Sequence, residues 1–234
     1  MKNIWRRFSY YLIGFSIGLI FVIFFFQNRG CSWLPSNRVK NTLLDKVLVL
    51  PDSEIKKLEK HNLSKAEIIS FLDDGNILFK ESIKKQNVFP KAYVLEKEIG
   101  QQNHRVQFSI YEDSYIAPIH YLDQNEAPRH YTELKGKGSF IRLPSDSALI
   151  YIDRSNYVQC KARKLKLTHP DEITEQLKHT GKIDFERSNL MLPKAEHFIM
   201  YREDDTTTIE AKTIWFESRI TFKDFYWDRK LDCE

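Results

Sequence analysis

The chain repeats itself, and that repeat constrains its fold more than any single element does. Gly75 to Tyr93 reads GNILFKESIKKQNVFPKAY and returns in worn form at Gly181 to His197 as GKIDFERSNLMLPKAEH. Both stretches run Gly-x-Ile-x-Phe-x-x-Ser, through Gly75, Ile77, Phe79 and Ser82 in the first and Gly181, Ile183, Phe185 and Ser188 in the second. Both then reach Pro-Lys-Ala, at Pro90 and at Pro193. Internal self-similarity of this kind makes each copy one structural unit. The 234 residues, 42% of them hydrophobic, suffice for an anchor and two bodies, each near the common domain size of about 100 residues.

Residues 10–26, YYLIGFSIGLIFVIFFF, carry no charge. At about 1.5 Å per residue this run covers roughly 25 Å as a helix, which spans a thin hydrocarbon core. Lys2, Arg6 and Arg7 precede it, whereas Arg29, Arg38 and Lys40 follow more sparsely. The asymmetry predicts a cytoplasmic N-terminus and an exported body. Gln27-Asn28-Arg29-Gly30 has no small-x-small cleavage site, so the run reads as a retained anchor rather than a signal peptide. Asn28 and Arg29 also fit poorly before Cys31 as an acylation signal. Gly14 and Gly18 form G-x-x-x-G, a spacing that offers a dimer face inside the bilayer.

Thirty-six basic residues against 32 acidic ones leave a net charge of +4, too weak a field to argue for nucleic acid. The three cysteines, Cys31, Cys160 and Cys233, form no CxxC. An exported location permits a Cys160–Cys233 disulfide and a Cys31 link between chains, but the spacing does not say which cysteines meet, and free or simply tolerated thiols are the preferred reading.

The expected organisation is a basic cytoplasmic N-terminus over 1–9, a transmembrane anchor over 10–26 and a polar tether over 27–41. A first module over 42–122, a linker over 123–138 and a second module over 139–234 follow. In the first module a short extended segment ends at Pro51, and two short helices follow. The second helix opens on a Ser64/Glu67 capping box and stops at Gly75. Strands near Ile77–Lys80, Tyr93–Glu98, Arg105–Tyr111 and Tyr115–Tyr121 complete it. In the second module, strands are expected at Ser139–Leu143, Leu149–Asp153 and Tyr157–Leu167, then a helix from Pro170. Four strands follow, at Ile183–Arg187, His197–Tyr201, Thr207–Phe216 and Arg219–Tyr226. The helix at Glu54–His61 has no expected counterpart there. The fold class is α+β, a single transmembrane helix followed by two tandem helix-plus-antiparallel-sheet modules.

The basic N-terminus, an anchor with G-x-x-x-G, a Cys-containing tether, Gly-x-Ile-x-Phe-x-x-Ser and a Pro-x-x-Tyr strand together resemble the membrane-anchored branch of a bacterial family, the domain of unknown function 4258. The resemblance covers Met1 to about Leu122 and extends more weakly over His169–Asp228 through the repeat. Two departures stand out: Lys91 and Lys194 follow the motif prolines where many members have Cys. The first helix, Ser53-Glu54-Ile55-Lys56-Lys57-Leu58, also lacks the His and Arg that invite a nuclease comparison for the wider family.

No HExxH, G-x-S-x-G or Gly-rich phosphate loop is present, so no cofactor is expected. None of the seven histidines pairs with another at i+2 or i+4, and no metal site is expected. Each motif position has a folding role: Gly75 and Gly181 as left-handed helix caps, Ile77, Phe79, Ile183 and Phe185 as core faces. Ser82 and Ser188 read as local backbone hydrogen-bonders, Pro90 and Pro193 as turns. Lys161, Arg163, Lys164 and Lys166 read as a solvated strand face, and the aromatic residues from Trp215 to Trp227 as core. The expected protein is an inner-membrane, single-pass envelope protein whose body is periplasmic. Its expected role is interaction or scaffolding. The bilayer meets residues 10–26, an unknown envelope protein or glycan is the partner, and Gly14 and Gly18 offer a face on which a homodimer could form. The alternative is a hydrolase or nuclease-like enzyme.

Overall fold

The computed structural model describes residues 2–29, 34–85, 87–144, 149–192, 194–202, 207–216, 218–227 and 233. Among them are six helices and one eleven-stranded sheet, a mixed α+β structure. They form two compact units, Met1–Asn41 and Thr42–Glu234.

The first unit contains helix α1 (Lys2–Arg29). Its segment Trp5–Ile23 is long and apolar enough to cross a membrane. Gly14 and Gly18 lie on it with open space around them. The expected tether is partly helical, because α2 runs over Pro35–Leu44 and starts on a proline, whose fixed φ suits a first helical turn. Cys31 lies outside the described residues.

The second unit opens with β1 (Val47–Pro51), α3 (Asp52–Lys60) and α4 (Lys65–Asp74), then β2 (Asn76–Ile77), β3 (Lys91–Ile99), β4 (Gln102–Ile110) and β5 (Ile116–Leu122). Strands β2 to β5 form an antiparallel meander, and β1 closes it by pairing parallel to β5. Strand β6 (Lys137–Arg142) follows. The same succession then recurs as β7 (Ile150–Ile152), α5 (Asn156–Lys164), α6 (Pro170–Thr180), β8 (Lys182–Asp184), β9 (Lys194–Arg202), β10 (Thr208–Phe216) and β11 (Arg219–Trp227). Here β7 pairs parallel to β11, as β1 does to β5. Strand β6 runs antiparallel to both β1 and β8 and joins the two halves into one sheet, ordered β2-β3-β4-β5-β1-β6-β8-β9-β10-β11-β7.

The expected strand at Tyr157–Leu167 is instead α5. Val158, Ala162 and Leu165 are buried at helical spacing, and α5 takes the place in the second half that α3 takes in the first. The capping box at α4 is present: Ser64 Oγ accepts the Glu67 N–H at 3.2 Å, and Glu67 Oε2 accepts the Ser64 N–H at 2.7 Å. At α6, Pro170 sits in the first turn and Glu172 Oε2 accepts the His169 N–H.

Strand β1 is buried on both faces, which explains its uninterrupted apolar sequence Val47-Leu48-Val49-Leu50. Val47 and Val49 join a core cluster with Ile116, Phe140, Ile173, Leu177 and Ile183, drawn from both halves. The alternating Leu48 and Leu50 are also buried and lie on the opposite face of the strand. Each such side chain contributes about 1.5–3 kcal/mol when removed from water. At Gly138 of β6 a Cβ would stand 2.7 Å from both Val49 and Phe185, so the bridging strand passes where only a hydrogen fits.

The two motif glycines are not left-handed caps. Gly75 has φ −65° and Gly181 φ −66°, both extended. A Cβ at Gly75 would lie 2.5 Å from the Phe71 carbonyl oxygen, and one at Gly181 2.5 Å from that of Leu177. Glycine serves there for close approach of the exiting chain to the last helical turn. The core role holds for Ile183 and Phe185, whereas Ile77 and Phe79 are only half-buried, with the Lys84 ammonium over the Phe79 ring. Pro90 is buried after a cis peptide bond. Pro193 lies outside the described residues.

Candidate functional site

The motif serines are engaged by backbone in the same way in both halves. Ser82 Oγ accepts the Val94 N–H of β3 at 3.1 Å, and Ser188 Oγ accepts the Phe198 N–H of β9 at 3.2 Å. Ser82 also donates to the Leu78 carbonyl at 2.8 Å. The repeated motif therefore ties a loop to a strand in each half and gathers no reactive cluster.

The densest polar chemistry lies elsewhere, where α3 meets the end of β5. Glu54, Lys57 and His61 fall at i, i+3 and i+7, one face of the helix. Glu54 is buried, and its Oε2 accepts the Tyr121 N–H at 3.0 Å while its Oε1 lies 3.6 Å from Nδ1 of His120. Lys57 Nζ stands 3.4 Å from Glu54 and donates to the Tyr121 carbonyl at 3.5 Å. Burial alone would raise the Glu54 carboxyl pKa, but the contacts with His120 and Lys57 and the Tyr121 N–H outweigh it and hold it low. His120 is pulled the other way: burial lowers its pKa against the pull of Glu54, so the ring is neutral at neutral pH.

His61, at the end of α3, stacks on Tyr121 with centroids 4.5 Å apart, and its Nε2 lies 3.6 Å from Asp123. The Tyr121 hydroxyl meets Nδ1 of His104 at 3.1 Å. Burial, reinforced by His61, lowers the His104 pKa. These rings form the floor of an open cleft of about 700 Å³. One wall is the β3–β4 hairpin, which turns tightly through Gly100 and Gln101, both at positive φ, and presents Glu98, Gln101, Gln102 and Asn103. Asp123 and Gln124 form the other wall. The lining holds four carboxamides, two carboxylates, two imidazoles and a phenol, and no lysine or arginine. It suits a ligand rich in hydroxyl or amide groups, with each carboxamide able to donate and accept. No cluster of three metal-ligating side chains occurs among the described residues.

The segment expected as a linker, 123–138, packs back onto β4 and β5. Gln107 bonds twice to the Arg129 backbone, Oε1 accepting its N–H at 2.9 Å and Nε2 donating to its carbonyl at 2.7 Å. The Tyr131 ring stacks on His120 at 3.6 Å between centroids, and the Tyr111 hydroxyl donates to the Tyr131 carbonyl. In the second half, Cys160 of α5 is joined to Cys233 in a disulfide, with Cα atoms 5.8 Å apart. Nearby, Lys161 donates to Asp224 at 2.7 Å and to the Phe225 carbonyl at 2.9 Å. The basic run expected as a solvated strand face thus has its first lysine buried on a helix.

The chain matches no family model, no curated protein and no solved structure.

Sequence reasoning singled out none of Glu54, His61, His104 and Tyr121 as a site; His120 was weighed only as a partner for Ser82, and it meets Glu54 while Ser82 is bonded to backbone. The i, i+3, i+7 polar stripe on α3 was the available signal. Its partners on β4 and β5 lie more than forty residues away and join it only through the parallel pairing of β1 with β5.

Proposed function

We propose that this is a membrane-anchored envelope protein whose exported body binds a glycan or a glycan-bearing envelope partner. The observation that carries the reading is the Cys160–Cys233 disulfide, a bond that persists in oxidising compartments. The apolar helix Trp5–Ile23 and the basic residues before it agree with an N-terminus inside and a body outside. The recurrence of β1-α3-α4-β2-β3-β4-β5 as β7-α5-α6-β8-β9-β10-β11 supports a duplicated module. Association of two chains through Gly14 and Gly18 belongs to the same proposal.

The ligand surface in this reading is the His61–His104 cleft, whose carboxamides and carboxylates suit vicinal hydroxyls and whose lack of cationic lining disfavours phosphate. The hydrolase alternative draws less support, because Ser82 and Ser188 are both committed to backbone. The test is calorimetric titration of the full-length protein in nanodiscs with chitin-derived and glucan oligosaccharides. Heat from one class that vanishes in Gln102→Ala and His61→Ala is the expected result; no heat from any class, or heat unchanged in both variants, would sink the cleft reading.

A further inference from the structure

We infer that the middle of segment 123–135 is an acid-released strap, latched at neutral pH by the uncharged His120 ring over a polar row on the sheet. The row is set by register. Gln107 of β4 stands opposite His120 of β5, and side chains two apart on a strand share a face, which places Ser109 beside Gln107. Gln107, Ser109 and His120 are all buried, although polar. What covers them is the strap, through the paired bonds of Arg129 to Gln107 and the stack of Tyr131 on His120.

The ends of the strap are held independently of pH. Arg105 donates to the carbonyls of Asp123 and Gln124 at one end, and β6 enters the sheet at the other. Between them the strap is held by the Gln107–Arg129 bonds, by the Tyr111 hydroxyl on the Tyr131 carbonyl, by His130 Nδ1 at 3.0 Å from the Pro90 carbonyl, and by the stack on His120, whose ring has no hydrogen bond to either nitrogen. A neutral imidazole can stack on Tyr131 in this dry place. An imidazolium there lacks acceptors for two N–H donors, apart from Glu54 at 3.6 Å.

The charged and titratable groups around His120 are mixed in sign. Glu54 and Glu126 favour its protonation, and Lys57, held between them, opposes it. Arg129 carries a further positive charge on the strap beside Glu126, and Arg105 holds the strap's start. The Tyr111 and Tyr131 hydroxyls have pKa values raised by burial and stay neutral throughout. Burial prevails over the two carboxylates and lowers the His120 pKa in the latched state. The latch is therefore strongest above the free-imidazole value of about 6.5 and weakens as pH falls below it.

Hydrogen exchange of the full-length protein in nanodiscs reads the latch directly and needs no ligand, so its outcome is separate from the glycan reading. The probe is the Arg129 amide, which donates to Gln107, corrected for intrinsic exchange. Its protection should drop by about tenfold or more between about pH 7.5 and 5.0, while the Val106 amide inside the ladder keeps its own. His120→Phe retains an aromatic face without a titrating group and should flatten the Arg129 profile; His120→Gln serves if that variant folds poorly. Flat protection in the unmodified protein, the same drop in both variants, or a parallel loss at Val106 would each overturn the strap.

Discussion

Lys57 and Lys161 make the same bond in the two halves of the sheet: each reaches from the first helix to the carbonyl near the end of the last strand, Lys57 to Tyr121 and Lys161 to Phe225. What surrounds them has been exchanged. In the first half the helix supplies the carboxylate, Glu54, and the strand a histidine, His120. In the second half the strand supplies it, Asp224, and the helix carries Val158. The lysine persists while the acid moves across the contact, so one frame holds a buried acid beside a half-exposed lysine in the first half and a buried lysine beside a half-buried acid in the second.

Replacing these lysines should therefore have unequal effects. Lys161→Met removes a buried ammonium with its bonds to Asp224 and the Phe225 carbonyl and should cost about 3 kcal/mol in urea unfolding, whereas Lys57→Met removes a half-exposed one, leaves Glu54 its bond from the Tyr121 N–H, and should cost about 1 kcal/mol. Equal losses would show that burial does not separate the two sites.

The motif glycines should be intolerant of any side chain. Gly75→Ala and Gly181→Ala each drive a Cβ against a helical carbonyl and should cost about 1–3 kcal/mol. Asn, which suits left-handed caps, should be no better than Ala at either position. A tolerated Asn would restore the cap explanation.

Removing the disulfide should be felt throughout the second half. Cys160 and Cys233 are 73 residues apart, and closing such a loop restricts the unfolded chain. Cys233→Ala, or reduction, should lower stability by about 4 kcal/mol on the loop-entropy account. Unchanged melting under reductant would remove the bond from the stability account.

His197 should act as an acid-sensitive core residue. It is buried edge-on to Trp215 with both ring nitrogens unbonded, and burial lowers its pKa to about 3. A histidine held neutral in this way adds no pH-dependent cost above about pH 6.5 and destabilises progressively as pH falls toward its folded value. His197→Phe should flatten unfolding free energy against pH across that window. An unaltered slope would place the acid sensitivity elsewhere.

Much of this architecture was legible in sequence because the signals were local. The Ser64/Glu67 capping box, the alternation along Lys91–Ile99 and Thr208–Phe216, and the recurring Gly-x-Ile-x-Phe-x-x-Ser all depend on neighbours within a few residues. Helix α5 was misread because its lysines and arginine looked like an exposed edge, although Val158, Ala162 and Leu165 carried helical spacing. Lys161 is buried because Asp224, 63 residues on, neutralises it. That partner follows from the pairing of β7 with β11, which no local pattern announces. The cleft shares this difficulty: His61, His104 and Asp123 are unremarkable alone and meet only once β1 has crossed to β5.

The measurement that bears most directly on the account is the location of the body. Alkaline phosphatase fused after Glu234 should be active in intact cells, and a green fluorescent protein fusion at the same place should stay dark. A fluorescent fusion with inactive phosphatase would put the body in the cytoplasm and contradict the envelope assignment.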